Sequence, residues 1–502
     1  MMGKMSKSLI AILLIFSVVF TFAACTRSGT DDVKTGEETP SVGKDETNGK
    51  ETMEEEGGEE GGEEVTPTDF WDERYPAFDF GGRTVKVGIW WDYYYTSAHK
   101  DITDDPNLSN VEIAQMKLDN VRRIEKKYNC RIEYVNLGWE GIIESINTSI
   151  AAGSPECDIY LTDLQFGIPA VANGLAQDLK KIVPEYSDLF NEQKIIKPLT
   201  ETEGLFGSIY LFAEQGLPTS GIYLGYNATM IEELGLEDPQ ELFKKGEWTW
   251  EKFAEYCRKG TQDKDGDGII DVYGFGGVFT DLVNGLMMNN NASLAAGRTE
   301  GLSSKPTVEV LEFINRLYNV DKSARPWNPD DWNDNLLAWS DGKVMFWTAQ
   351  AWLLEQKADA AAAEGGLPFE YRIVPYPIGP SGDGKVYSPC IGNWYMIPVG
   401  VKEPEKVFQI FEEFLGWHKG DPELRDDPTW FESCFQRTED VELAYECAKN
   451  IKLDLWQYIG FDFGGTIWWP IVVNKDSTVS QVIEAAKPVL QDAIDNFFGK
   501  NQ

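Results

Sequence analysis

The chain has 502 residues, too long for one compact core, so two or three domain-sized units are expected. Its hydrophobic content of 42% and aromatic content of 13% are globular values, and a formal charge of −38 argues against nucleic acid or an anionic membrane face as the main partner. His99 and His418 are the only histidines, which excludes a three-histidine zinc site and leaves a Ser–His–Asp triad only these two to draw on.

At the N-terminus, Lys4 and Lys7 precede an apolar run from Leu9 to Phe22, followed by Ala23, Ala24 and Cys25. A short basic region, a short apolar segment and small residues before a cut make a secretory signal, and the run is too short for the about 20 residues of a membrane span. The end of it, FAAC, resembles a bacterial lipobox, with Phe22 where Leu is usual. That resemblance implies cleavage after residue 24, a diacylglyceryl thioether on Cys25 and an added acyl chain such as palmitate. Two or more chains anchor a protein stably where one does so only marginally. Residues 25–68 are poor in apolar side chains and carry EEEGGEEGGEE at their centre, so no core forms there and an acidic tether is expected. Its random-coil reach is roughly 35–40 Å, and more with self-repelling charge.

From Phe70 onward strands alternate with helices. The stretch Thr84–Ile89 alternates as a strand, and Val111–Tyr128 has Val111, Ala114, Leu118, Val121 and Ile124 at helical spacing. A strand over Cys130–Leu137, a helix over Gly141–Ala152 and a short strand over Asp158–Leu161 follow. A second alternation begins near Gly221, with a strand at Gly221–Tyr226 and a helix at Trp250–Lys259 capped by Thr249. Strands are expected at Val344–Thr348 and Tyr371–Pro375, and helices at Val401–Trp417 and Val479–Phe498. This pattern predicts an α/β fold with largely parallel sheet, in which ligands bind beyond the carboxyl ends of strands. The run GIWWDYYY, Gly88–Tyr95, lies at such an end.

The ordered set VKVGIWW, SPECDIYLTD with GLAQDL, GIYLGYNATMIEELGL with EWTWEKFAEYC, DKDGDGIIDVYGF, DGKVMFWTAQAW and SPCIGNWYMIP resembles the extracellular solute-binding proteins of family 1, the maltose-binding-like carbohydrate receptors of ABC importers. The likeness runs from about Arg83 to about Phe498. It implies a two-lobe, periplasmic-binding-protein-like fold of type II, with lobes joined by a hinge and ligand in the cleft, closing by hinge motion. By that analogy residues 69–218 and 394–450 form the first lobe, and residues 219–393 and 451–502 the second. Crossings fall near Gly216–Tyr223, Ser388–Trp394 and Cys447–Trp456.

A sugar ring offers an apolar C–H face and a rim of hydroxyls, so its site needs flat aromatic surfaces plus fixed acceptors and donors. In that light Trp90 and Trp91 are a platform and Asp92 an acceptor. The resemblance places Asp163 near the same cleft, Glu214, Gln215 and Ser220 at the first crossing, and Asn393 and Trp394 at the second. Trp352 aligns with a cleft aromatic, with Trp347 its neighbour in sequence, and Trp468 or Trp469 matches a late cleft aromatic. Any of these rings is also a candidate core residue. Adjacent strand residues point to opposite faces, so the two members of a WW pair cannot both enter one core.

In DKDGDGIID, Asp263, Asp265 and Asp267 alternate, Gly268 is sixth, the Ile269 carbonyl seventh and Asp271 ninth, as in the front half of a calcium loop. Position twelve is Gly274, so the bidentate glutamate is missing. A structural calcium is the expectation, supported by alginate-type members of the family; a solvated acidic turn is the alternative. The kinship implies an oligosaccharide ligand, ABC permease subunits as partners, a monomer, no catalysis, and a place on the outer face of the bacterial membrane. A secreted glycoside hydrolase or lyase, with two carboxylates about 5–10 Å apart, and a binding lipoprotein for a peptide or other non-sugar ligand are the competing readings.

Overall fold

The computed structural model describes residues 74–499, except 109, 188, 191–196, 214–220, 329–331, 355–366, 390–391 and 474–476. All belong to one unit of the chain, Pro67–Gln502. Cys25, the signal segment and the acidic tether lie outside the described residues, as do Glu214, Gln215 and Ser220.

Two sheets organise the unit. The first contains β1 (Thr84–Ile89), β2 (Arg131–Asn136), β3 (Ile159–Asp163), β4 (Leu211–Phe212) and β10 (Asn393–Met396), in the order β2-β1-β3-β10-β4. β1 pairs in parallel with β2 and β3, whereas β10 runs antiparallel to β3 and β4. The second contains β5 (Tyr223–Asn227), β6 (Tyr273–Phe275), β7 (Val344–Ala349) and β8 (Tyr371–Val374), in the order β8-β5-β7-β6. Only β6 and β7 are parallel there. The expected largely parallel sheet is therefore reduced to β1–β3 in lobe 1 and the β6–β7 pair in lobe 2.

Helix α1 (Val111–Tyr128) has the predicted ends: Asn110 accepts from Ile113 N at 3.1 Å, and Asn129 takes a left-handed φ of 47°. Of its apolar stripe, Val121 and Ile124 share a core with the first sheet, and Ala114 and Leu118 are also buried. After β2, helix α2 (Gly138–Ser145) starts earlier than expected and runs into a π-helical turn, Ile146–Ile150. Helix α3 (Leu164–Ala172) starts where β3 ends, its first turn capped by Asp163.

In lobe 2, α4 (Trp250–Gly260) is capped by Thr249 and buries Phe253, Ala254 and Cys257. Helices α5 (Phe279–Met288) and α6 (Lys305–Asn315) cover the same face. β7 is buried on both sides, so Phe346 enters one core and Trp347 the other.

Helix α7 (Pro404–Leu415) returns to lobe 1, where Glu413 is buried among Arg123, Lys127 and Tyr128. A later helix belongs to the other lobe. Helix α8 (Thr438–Ala448) lies against β8, and Val441, Ala444 and Cys447 share a core with Trp339 and Tyr371. Asp440 Oδ1 accepts from Gln240 Nε2 at 2.5 Å, and Tyr371 donates to the Cys434 carbonyl at 3.2 Å. The expected first-lobe segment 394–450 therefore ends before Phe431, because the apolar face of α8 fits the second sheet. The last helix, α9 (Val479–Gly499), packs on α6.

Three chain segments meet at Ser388. β9 (Ser388–Pro389) pairs in parallel with β11 (Ile451–Lys452), and Ile222 N donates to Ser388 Oγ at 2.7 Å. The described cysteines Cys130, Cys157, Cys257, Cys434 and Cys447 are all buried. No helix among the described residues is long and apolar enough to cross a membrane.

Candidate functional site

The lobe-1 wall grows from the carboxyl ends of β1, β2 and β3. Trp90, Trp91 and Asp92 follow β1, Trp139 sits in the first turn of α2 behind β2, and Asp163 ends β3. Asn393 begins the antiparallel β10 and pairs in register with Asp163, so it joins the same edge. Trp90 is the hub of an aromatic cluster, with ring centroids 4.9 Å from Trp91, 5.2 Å from Trp139 and 5.7 Å from Phe166, all edge to face. Trp91 and Trp139 keep 40% and 39% of their surface exposed, whereas Phe166 is buried beneath them. Two indoles are thus presented to solvent on a rigid aromatic base.

Polar groups stand beside these rings. Asn136 Nδ2 donates to Asp92 Oδ1 at 2.8 Å, which leaves Asp92 exposed but oriented. Asp163 is half-buried; desolvation raises its carboxyl pKa, and the Gln165 N–H that it accepts at 2.8 Å works against that rise. Tyr93, Tyr94 and Tyr95 do not share this duty. Tyr93 stacks on Tyr134 at 4.2 Å, Tyr94 meets His99, and the Tyr95 hydroxyl donates to Asp105 at 2.6 Å.

The lobe-2 wall begins at the carboxyl end of β7. Ala349 pairs with Tyr223, which follows Ile222, so Gln350 and Trp352 emerge close to the Ile222–Ser388 contact. Asn393 occupies the equivalent position in lobe 1, close after β9. Trp352 is 40% exposed, and its indole N–H donates to Gln350 Oε1 at 2.7 Å. Gln350 Nε2 in turn donates to Asp281 Oδ2 on α5 at 2.8 Å. Burial pushes the Asp281 carboxyl up to about 7, and the Gln350 hydrogen bond opposes that shift.

The late tryptophan pair lies where a π-helical turn, Gly464–Trp468, passes into a short helix, Trp469–Val472. Trp468 is buried 5.5 Å from both Phe279 and Trp456, whereas Trp469 is 48% exposed. Trp456 Nε1 donates to Asn284 Oδ1 at 2.7 Å, which ties this segment to α5.

Three of the predicted ligand rings lie in the interior instead. Trp347 is wholly buried and stacked on Trp339 at 5.3 Å, because alternation along β7 turns it into the core shared with α8. Trp394 is buried one residue along from the exposed Asn393, and Trp468 is buried next to Trp469. A ring without a free face offers nothing for a sugar to stack on. Trp139, Gln350, Asp281 and Asn284 were not singled out from sequence. Trp139 carried a usable signal, an aromatic at a strand end like Trp90; Asp281 carried none.

The acidic loop is built as expected on its front half. The carboxylates of Asp263, Asp265 and Asp267 come within 4.8 Å of one another. Asp263 accepts from the N–H groups of Gly266 and Gly268, Asp265 from Asp267, and Asp267 from Ile269. Gly268 has a φ of 90°, which a side chain would strain. Asp271 accepts from Lys264 N at 2.6 Å. Gly274 is packed against the Cys257 backbone in β6, so position twelve has no room for a side-chain ligand. The three convergent carboxylates fit a hard cation, with a thinner ligand set than a complete loop offers.

The sequence profile of the family described as "Bacterial extracellular solute-binding protein" matches residues 110–417. No curated protein sequence matches significantly. Among solved structures, the chain is similar to an ABC substrate-binding protein of Listeria monocytogenes in complex with cycloalternan, at 15% identity and a TM-score of 0.56, covering 83% of this chain and 99% of that one. It is similar to the cyclic alpha-maltosyl-1,6-maltose binding protein of Arthrobacter globiformis, at 16% identity and a TM-score of 0.55, over 83% of this chain and 100% of that one. A solute-binding protein of Thermotoga lettingae bound with alpha-D-tagatose follows at 17% identity and a TM-score of 0.54, over 82% and 100%. Likeness at such identities carries the fold, the two-lobe type II architecture. The family match covers more than half of the chain, and the protein belongs to the bacterial extracellular solute-binding proteins.

Proposed function

We propose that this protein captures a neutral oligosaccharide between its lobes and delivers it to an ABC importer without transforming it. The observation that supports this reading is four half-exposed indoles, Trp91 and Trp139 on lobe 1 and Trp352 and Trp469 on lobe 2, and the reading sets them facing a ligand between the lobes. Each offers a flat apolar surface for sugar C–H groups, and Asp92, Asp163 and Asn393 stand beside the first pair as hydroxyl partners. Structural neighbours described as binding cycloalternan and a cyclic maltosyl-maltose support the same ligand class. Glu214, Gln215 and Ser220, at the first crossing, complete the proposed contact set from sequence. The test is titration of the mature protein with neutral di- to hexasaccharides, followed by calorimetry and product analysis. Stoichiometric binding with intact sugar is expected; turnover of the sugar, or no binding across the panel, would refute the reading.

The same reading places the protein as a monomer on the outer face of the cell membrane, tethered through lipid on Cys25 and the acidic segment behind it. Palmitate labelling that disappears in Cys25→Ser, with release of the variant into the medium, is the expected result; equal labelling would refute the anchor.

For the acidic loop we propose one structural calcium held by Asp263, Asp265, Asp267 and the Ile269 carbonyl, with Asp271 contributing through water. A ligand of the folded state raises the melting temperature with its concentration. Calcium should raise it in the wild type and not in Asp265→Asn; equal melting with calcium and with chelator would remove the metal.

A further inference from the structure

We infer that Asp281 and Gln350 are positioning residues for the second lobe's ligand platform, holding the Trp352 ring at a set angle over the cleft. The inference rests on the cleft reading above, since only there does the angle of that ring matter to a ligand.

Three residues form one directional chain. Trp352 Nε1 donates to Gln350 Oε1 at 2.7 Å, and Gln350 Nε2 donates to Asp281 Oδ2 at 2.8 Å. An indole N–H can only donate and the Asp281 oxygen accepts, so the carboxamide between them has one workable orientation. Exposure rises along the chain, from 7% at Asp281 and 9% at Gln350 to 40% at Trp352. The anchor is inside and the working surface outside.

The anchor itself sits on regular structure. Asp281 lies in the first turn of α5, and Thr348 Oγ1 in β7 accepts from Val278 N at 2.8 Å, just ahead of that helix. Gln350 directly follows β7. The two elements that carry the chain are thus bonded to each other before the chain begins. Among the described residues, no other aromatic ring packs on Trp352, in contrast to Trp91 and Trp139, which lean on Trp90. Lobe 1 fixes its indoles by ring contacts; lobe 2 fixes this one by hydrogen bonds. A ring already held in its working pose loses less freedom when ligand arrives.

The test uses full-length mature protein labelled with fluorotryptophan, the Trp352 resonance being assigned by its loss in Trp352→Phe. Gln350→Met and Asp281→Leu keep bulk and remove the hydrogen bonds; Asp281→Asn keeps an oxygen that accepts from Gln350. Maltotriose, cellotriose and xylotriose serve as ligands. Gln350→Met and Asp281→Leu should shift or broaden the Trp352 resonance without ligand and weaken the best-bound trisaccharide about tenfold, while Asp281→Asn should stay within about threefold of wild type. An unmoved Trp352 resonance in Gln350→Met overturns the inference, whatever happens to stability. Should Asp281→Leu fail to fold, Gln350→Met decides alone. Failure of the wild type to bind any of the three sugars counts against the oligosaccharide reading, and the fluorine spectrum still decides the positioning role.

Discussion

The Ser388 hydroxyl accepts the backbone N–H of Ile222 at 2.7 Å, and both residues are buried. Ser388 N also donates to the Asn450 carbonyl at 3.0 Å, so one serine joins the segments at Ile222, Ser388 and Asn450. Ser388→Ala would leave a buried N–H without its partner, at a cost of about 1–3 kcal/mol. Urea unfolding should show that loss. A midpoint equal to wild type would mean that the hydroxyl contributes nothing at this contact.

A second expectation concerns Glu413. Its carboxylate, with no exposed side-chain surface, pairs with Arg123 at 2.6 Å and Lys127 at 2.9 Å and accepts from the Tyr128 hydroxyl. Removing one member of such a cluster strands the others, and Glu413→Ala should cost about 3–5 kcal/mol. Chemical denaturation checks it; a loss below about 1 kcal/mol would place the cluster with surface pairs.

The buried carboxyls set a pH trend. Burial raises Asp281 from 3.8 to about 7 in the folded chain, with the Tyr376 phenol as its ionisable neighbour. Asp163, Asp440 and Asp454 shift in the same direction, also by burial. A folded pKa above the unfolded one means that the folded state holds more protons between the two values. Stability from this source is present at low pH and declines as pH rises from about 4 to 7, on the order of a few kcal/mol for Asp281. Asp281→Asn should flatten part of that slope. Melting curves that give parallel wild-type and variant profiles across this range would contradict it.

The exposed and buried tryptophans should separate binding from folding. Trp139→Ala, Trp352→Ala and Trp469→Ala should each weaken sugar binding by about 1–3 kcal/mol with little change in melting. Trp347→Ala should instead cost about 3–5 kcal/mol of stability, since it empties a core position against Trp339. The reverse pattern would mean that the ligand sits elsewhere.

Much of the architecture was legible because local rules sufficed. Val111–Tyr128 carries its own stripe and its own cap, and both ends fall where the sequence puts them. The strand-end position of Trp90 to Asp92 followed from the alternation before it. The choice within each tryptophan pair was not legible. Val344–Ala349 is buried on both faces, so no polar residue marks which side Trp347 takes. For Trp468 and Trp469 a π-helical turn changes the angular step between neighbours, and nothing in FGGTIWW announces it. Asp281 reads as an ordinary helix-start acid; its burial depends on β7 and Tyr376, which are far away in sequence. The lobe to which α8 belongs is likewise a matter of which sheet accepts its apolar face.

The interleaving of the two lobes bears on how the chain is made. The first sheet is not continuous until Asn393–Met396 slots between β3 and β4, and the second lobe's cores wait for residues beyond Phe431. Neither half can assemble from a contiguous stretch emerging early from the ribosome. Completing the second lobe thus needs nearly the entire polypeptide, an order of assembly that would suit a chain threaded unfolded through a secretion channel.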